Sequence, residues 1–337
     1  LLIINDLLVR IADVFIVIGI AGSIHNGKVS EVGAYMTLLL AANKLNDLFY
    51  QIFDIFRTGN KLKKYGGNIH KFFCYQMEKT DGIGASADKP FEVEFKNVSF
   101  SYPNSSFALR DISFKISAGE RVAIVGENGA GKSTIVKLLL RLHDVQSGEI
   151  LINGVNINDY NLFELRNAIG VAFQNTNIYA FSMDENIGLY DNSTEKAIAE
   201  AKKAFGLDLI VAKNGASNDA TLTREFDDNG IVLSGGEAQK VAIARTTTKK
   251  FSLLMLDEPS SALDPIAEYN LNRSLFKRSK ETTTIMIAHR LSSVRNMDKI
   301  LVINNGELME SGTHDELMRV QGLYSEMFLK QAENYQI

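Results

Sequence analysis

The chain has 337 residues, 45% of them apolar and 23% charged, with a formal net charge of −4. That length allows two domains, or one large one, with a sizeable core. The composition is that of a folded globular protein, and the mildly acidic balance argues against a nucleic-acid partner. A single cysteine, Cys74, excludes an intrachain disulfide. It stands in "HKFFCYQMEK" without the His and Asn companions of a thiol nucleophile, and fits a cytosolic setting.

The chain opens "LLIIND", without Met or a basic flank. This is unlike a signal peptide and like a fragment that starts partway through something. From Leu1 to Lys79 the texture is hydrophobic. "LLVRIADVFIVIGIAGSI" is apolar over about eighteen positions, a marginal bilayer span. Arg10 and Asp13 interrupt it and stand three apart, so they can pair on one helix face. After the polar "HNGKVSE", a second stretch begins as a span and then turns amphipathic. Leu45, Leu48, Phe49, Ile52, Phe53 and Phe56 recur at helical spacing, with Asn46, Asp47 and Asp54 opposite. Arg57, Lys61, Lys63 and Lys64 follow, a cluster that reads as a cytoplasmic flank. Periodicity alone leaves two readings open: a membrane hairpin, or a soluble helical hairpin with one buried face.

Residues 80–90 are rich in Gly, Ser, Ala and Asp, end in Pro, and read as a linker. From 91 to 331 strand-like and helix-like patterns alternate, and 332–337 is a tail. "FEVEFKNVSFSY" alternates as a strand, while "RVAIVG", "LLMLDEP" and "TTIMIAHR" are short buried strands. "KSTIVKLLLRL" is a helix opening at a Gly-rich turn. Such alternation indicates an α/β domain with a mainly parallel sheet.

Three stretches carry chemistry. Gly126, Gly131, Lys132 and Ser133 match G-x-x-x-x-G-K-[ST], after a strand and before a helix. Glycines let the backbone curl so that several N–H groups point at one anion, and the following helix adds its positive end. Lys132 is placed for the β- and γ-phosphates, and Ser133 for Mg²⁺. Asp257 and Glu258 close a buried strand, at the end that faces the ligand crevice of an open α/β sheet. Asp257 suits the Mg²⁺ shell, and Glu258 suits the attacking water. His289 also ends a strand, either as a structural cap or as a donor to the γ-phosphate. Gln174, in "VAFQNTN", takes meaning only from this company.

"LSGGEAQK", "LLMLDEPSSALD" and "IAHR", in that order, resemble the ATP-binding-cassette family, from Phe91 to about Gln331. The resemblance implies an α/β P-loop NTPase cassette: a mainly parallel sheet core, an antiparallel β part and a helical subdomain. ATP would be held by Gly126, Asn128, Gly129, Ala130, Gly131, Lys132, Ser133 and Thr134, with Tyr102 stacked on adenine. Mg²⁺ would be held by Ser133, Gln174 and Asp257. Glu258, His289, Lys132 and Gln174 would act in catalysis, and Ser261 to Asp264 would form the D-loop. Ser234, Gly235 and Gly236 would bind the ATP of a second cassette, paired head to tail. A serine and free amides opening the helix "EAQKVAIAR" suit that anion.

Importer cassettes in the family are usually separate soluble chains, whereas exporters fuse a membrane domain to the cassette. Residues 1–79 resemble the last two membrane helices of an exporter, and "QNTNIYAFSMDENI" resembles the exporter stretch after the Q-loop. The resemblance therefore implies an all-α transmembrane fragment before the cassette. It implies an integral membrane half-transporter of the cell membrane with a cytoplasmic cassette. Its partners would be a second half-transporter, the lipid bilayer and an unidentified transported substrate, with no nucleic acid. The alternative is a soluble cassette ATPase that remodels a nucleic-acid or ribosome partner, with residues 1–79 as a docking arm. Three departures stand out: Glu237 where Gln is commonest, "PSS" after the Walker B carboxylates, and "ARTTTKKF" after the signature.

Overall fold

The computed structural model describes residues 2–27, 29–73, 81–103, 107–190, 193–213, 219–259, 268 and 281–333. The side chain of Arg10, Cys74 and the Ser261–Asp264 stretch lie outside the described residues. The chain divides into two compact units, Leu1–Met77 and Glu78–Ile337.

The first unit is a pair of helices, α1 (Leu2–His25) and α2 (Val29–Phe73). Gly27 makes the turn with a φ of 73°. The helices close up at Gly19, where an added Cβ would come within 3.0 Å of the Tyr35 ring. The apolar stripe expected on the second helix is present but uncovered: Leu45, Leu48, Phe49, Ile52, Phe53 and Phe56 are between 42% and 68% exposed. On α1, Val14, Phe15, Val17 and Ile18 are exposed as well. Among the described residues, no helix is long and apolar enough to cross a membrane.

The second unit is built on two sheets. In the larger, β9 (Lys299–Asn304), β3 (Arg121–Val125), β8 (Thr283–Ile287), β7 (Leu253–Asp257) and β6 (Ile169–Ala172) run parallel in that order. β10 (Glu307–Gly312) pairs antiparallel on the β9 edge. In the smaller, antiparallel sheet the order is β2 (Phe107–Ile116), β1 (Val93–Ser101), β4 (Ser147–Ile152), β5 (Val155–Asn156).

The central positions of the parallel strands are mostly apolar and buried because both faces are covered. Val122, Ile124, Leu253 and Met255 enter one core, shared with the antiparallel sheet and with α3 (Lys132–Leu139). Their neighbours Ala123, Val125, Leu254 and Leu256 enter the other, shared with a helical part. That part comprises α5 (Met183–Ile187), α6 (Glu195–Phe205), α7 (Asp208–Lys213) and α8 (Gly235–Arg245). α6 shows how locally its limits are set: the Thr194 side chain accepts from Ala197 N, and Gly206 closes the helix at φ 65°. α4 (Leu162–Ala168) leads into β6, and α9 (His314–Val320) and α10 (Leu323–Glu333) close the chain.

The segment expected to be a linker is stitched down. Ile83 N donates to Asp159 O (2.8 Å), Asn161 N to Ile83 O (2.9 Å), and Ser252 Oγ to Ser86 O (3.0 Å).

The register of the parallel sheet positions the site. Asp257 lies opposite Ile287, Ala172 opposite Leu256, and Ile124 opposite Ile287. Just beyond, Glu258 N donates to Ile287 O (3.0 Å) and Ala288 N to Ile124 O (3.2 Å). The C-terminal ends of β3, β6, β7 and β8 therefore stop along one edge, where the ligand crevice of such sheets lies.

Candidate functional site

The loop after β3 is shaped by glycines that nothing else could replace. Gly126 and Gly131 have φ values of 152° and 104°. A Cβ on Gly126 would collide with the Ile303 carbonyl oxygen, and one on Gly131 with that of Ala108. α3 starts immediately afterwards, and its cap, Gly131, provides no side-chain acceptor. The first amides of α3 therefore face the loop with the positive end of the helix behind them.

Lys132 lies in the mouth of this loop and is only 6% exposed. Its Nζ donates to the carbonyls of Gly126 and Glu127, both at 2.9 Å. Burial pulls its pKa below the usual lysine value, while Glu258 and Asp257 pull the other way. Ser133 Oγ donates to Asp257 Oδ1 at 3.3 Å, joining loop and strand end. Burial raises the Asp257 carboxyl above the ordinary range, and nearby Glu258 adds to this. The Ser133 hydrogen bond, Lys132 and His289 oppose that rise.

Glu258 is the centre of the arrangement. Its Oε2 accepts from Gln174 Nε2 at 2.7 Å, and its Oε1 lies 2.6 Å from His289 Nε2. Three loops, after β6, β7 and β8, thus converge on one carboxylate. Glu258 is also a non-glycine residue with a φ of 53°, immediately before Pro259. That combination is unfavourable on both counts and persists only where surrounding contacts over-determine it.

These groups line one cleft of about 590 Å³, within the usual range for small-molecule sites. Tyr102, Asn128, Gly129, Gly131, Lys132, Ser133, Thr134, Gln174, Glu258 and His289 all border it. Gly126, Ala130 and Asp257 stand behind its surface: Gly126 receives Lys132, Ala130 is buried in the core, and Asp257 acts on Ser133. Tyr102 sits at one side, its hydroxyl 3.3 Å from Thr134 Oγ1 and its ring against Phe100 and His143.

Lys137, outside the sequence motifs, also lines the cleft, with its Nζ 5.3 Å from the Tyr102 ring centroid. A helical offset of four from Ser133 was the signal available.

Ser234, Gly235 and Gly236 do not border this cleft. They form the start of α8, with Ser234 and Gly235 exposed and Gly236 half-buried, and the helix begins two residues earlier than expected from the sequence. Here Glu237 finds its explanation. Ser234 N and Oγ each donate to Glu237 Oε2 at 2.8 Å, and Glu237 N donates back to Ser234 Oγ at 3.4 Å. This is a capping box. Burial pushes the Glu237 carboxyl up, but the Ser234 hydrogen bonds with Lys213 and Lys240 outweigh it and hold it below its ordinary value.

Comparison with known proteins agrees with this geometry. Residues 109–261 match the family described as ABC transporter. The chain is 40% identical over 260 residues to the ATP-dependent lipid A-core flippase of Haemophilus influenzae, covering 75% of this chain and 43% of that protein. It is 36% identical over 316 residues to the subtilin transport ATP-binding protein SpaT of Bacillus subtilis, covering 91% of this chain and 50% of that one. The chain therefore spans about half the length of these relatives. A solved structure, described as a bacterial Atm1-family ABC exporter with ATP bound, superposes with a TM-score of 0.73 at 32% identity. That superposition covers 98% of this chain and 58% of the other. With its P-loop, strand-end carboxylates and signature helix in place on this fold, the chain carries the ATP-binding domain of the ABC transporter family and is similar to exporters of that family.

Proposed function

We propose that this chain is the C-terminal part of an exporter half-transporter, with residues 1–79 as membrane-domain helices, 80–90 as connection and 91–331 as the ATP-hydrolysing cassette. The observation that carries the enzymatic part is the grip of Gln174 and His289 on Glu258 beside the P-loop. A carboxylate so fixed, at the edge of a phosphate-sized cradle, is placed to take a proton from water attacking the γ-phosphate. Lys132 and the α3 amides meet the phosphate charge, and Tyr102 offers its ring to the base.

Ser133 and Asp257, already in contact, supply the hard oxygen donors that Mg²⁺ accepts, and Gln174 can add an amide oxygen. The ion would neutralise phosphate charge there. The remaining steps belong to the chain's own residues: Glu258 accepts the proton, and His289 and Gln174 hold it in line.

Ser234 and Gly235 are exposed at the start of α8 and do not border this cleft, so this helix start suits the γ-phosphate of a second cassette. Two half-transporters would then enclose two ATP molecules, and hydrolysis would reopen them to drive efflux. The membrane assignment is supported by the uncovered apolar side chains of α1 and α2, which water tolerates poorly at this density. Although its described residues fall short of a membrane span in apolar content, α2 at 1.5 Å per residue is about 68 Å long, which exceeds a bilayer core of about 30 Å in length. This favours membrane over soluble partners, with the cassette on the cytoplasmic side where Lys61, Lys63 and Lys64 lie.

The test is fractionation of the full-length protein, followed by ATP-hydrolysis assays in vesicles. Detergent extraction with Mg²⁺-dependent hydrolysis is expected. Release by salt alone would overturn the membrane assignment, and absence of hydrolysis would overturn the enzymatic one.

A further inference from the structure

Glu258 is held at a fourth point, to which no role in nucleotide binding or in the reaction has been assigned above. Gln239, on α8, donates from Nε2 to the Glu258 backbone carbonyl at 2.7 Å, in a buried position. Its side chain is 5% exposed, whereas Ser234, which caps the same helix, is exposed. The five-residue offset separates them by about 7.5 Å along the axis. One short rigid helix thus carries the proposed ligand of the partner's ATP at its start and a hold on this chain's own carboxylate on its inner face.

The hold matters because of the backbone it acts on. Glu258 is left-handed and precedes proline, a conformation that relaxes toward extended geometry unless held. Its amide is tied to Ile287 O and its carboxylate to Gln174 and His289. The carbonyl bond from Gln239 completes the set. Rotating the 258–259 peptide would swing the carboxylate out of line with the cleft, and a misplacement of about 1 Å costs on the order of a hundredfold in rate.

We propose that Gln239 is a positioning residue that ties the signature helix, and so the partner's ATP, to the orientation of Glu258. The proposal rests on the shared-site reading given above. A shift of α8 on docking the partner's nucleotide moves the donor that fixes Glu258, so one site's occupancy sets the other's competence.

The experiment uses the full-length dimer and measures kcat and KM for ATP in Q239M, Q239N, S234A and S234A/Q239M, with E258Q as reference. Q239M keeps the length of the side chain and removes the donor. Expected is a fall in kcat of about tenfold or more with KM for ATP changed less than about twofold. Expected too is a double variant hardly slower than the slower single one, since residues on one path are not additive. A kcat in Q239M within about twofold of wild type, or a rise in KM alone, overturns the positioning role. Fully multiplicative effects overturn the tie to the signature helix. If Q239M loses its folded thermal transition, Q239N carries the same test, because it retains an amide that is one methylene too short. Normal hydrolysis in E258Q would instead refute the underlying site, a result distinguishable from failure of Q239M.

Discussion

Replacing Glu258 by Gln isolates proton transfer from architecture. The substitution keeps shape and volume. Gln174 Nε2 can still donate to the new amide oxygen, and the amide nitrogen can face His289 Nε2, so both the 2.7 Å and 2.6 Å contacts have replacements. The backbone bonds to Ile287 O and from Gln239 are untouched. Stability should therefore change by less than about 1 kcal/mol. The amide cannot accept a proton. A positioned general base contributes about 10²–10⁴-fold, which raises the barrier by about 2.7–5.4 kcal/mol. Phosphate release by the full-length dimer should fall by that factor, while the melting curve and ATP binding stay near wild type. With hydrolysis blocked, ATP should trap a closed dimer visible by size-exclusion chromatography. His289→Ala leaves Gln174 still holding the carboxylate, so its loss should be smaller. Turnover in Glu258→Gln within about threefold of wild type would refute the assignment of Glu258 as base.

Three further outcomes are expected. Gly131→Ala forces an L side chain into a φ of 104° against the Ala108 carbonyl; strain of about 1–3 kcal/mol should lower Tm in calorimetry and weaken ATP binding by titration. Ser234→Arg should abolish hydrolysis while nucleotide binding at Lys132 stays largely intact, because Ser234 does not border the cleft of its own chain; wild-type turnover would sink the shared site. Glu237→Ala removes a capping box and should cost about 1 kcal/mol at pH 7. Because the folded state lowers the Glu237 carboxyl below its ordinary value, that stabilisation is present above the unfolded value of about 4.3 and is lost as pH falls through the folded one. The Tm gap to wild type should therefore close in acid and stay open at neutral pH.

Several features were legible because local chemistry fixes them. The P-loop follows from glycines at 126 and 131 between an apolar strand and a helix, and that geometry needs no distant partner. The strand-end positions of Asp257 and His289 follow from the buried runs before them. The capping box of Glu237 is legible as well, as Ser-x-x-Glu ahead of a helix, in the same residues that form the phosphate motif. The apolar stripe on α2 is visible as a pattern, but nothing in a pattern says whether a face is covered, and the described residues leave it exposed.

Sequence by itself thus determined the kind of site, because phosphate and metal recognition depend on residue types at short spacings. Only the tertiary structure decided how the site is held. Gln174 and Glu258 are 84 positions apart, and they meet because β6 and β7 are neighbours in register. His289 reaches the same carboxylate because β8 lies on the other side of β7. Gln239 reaches its carbonyl because α8 covers one face of that sheet. Strand order and register are set by the burial of two whole cores, so no short stretch of sequence records them.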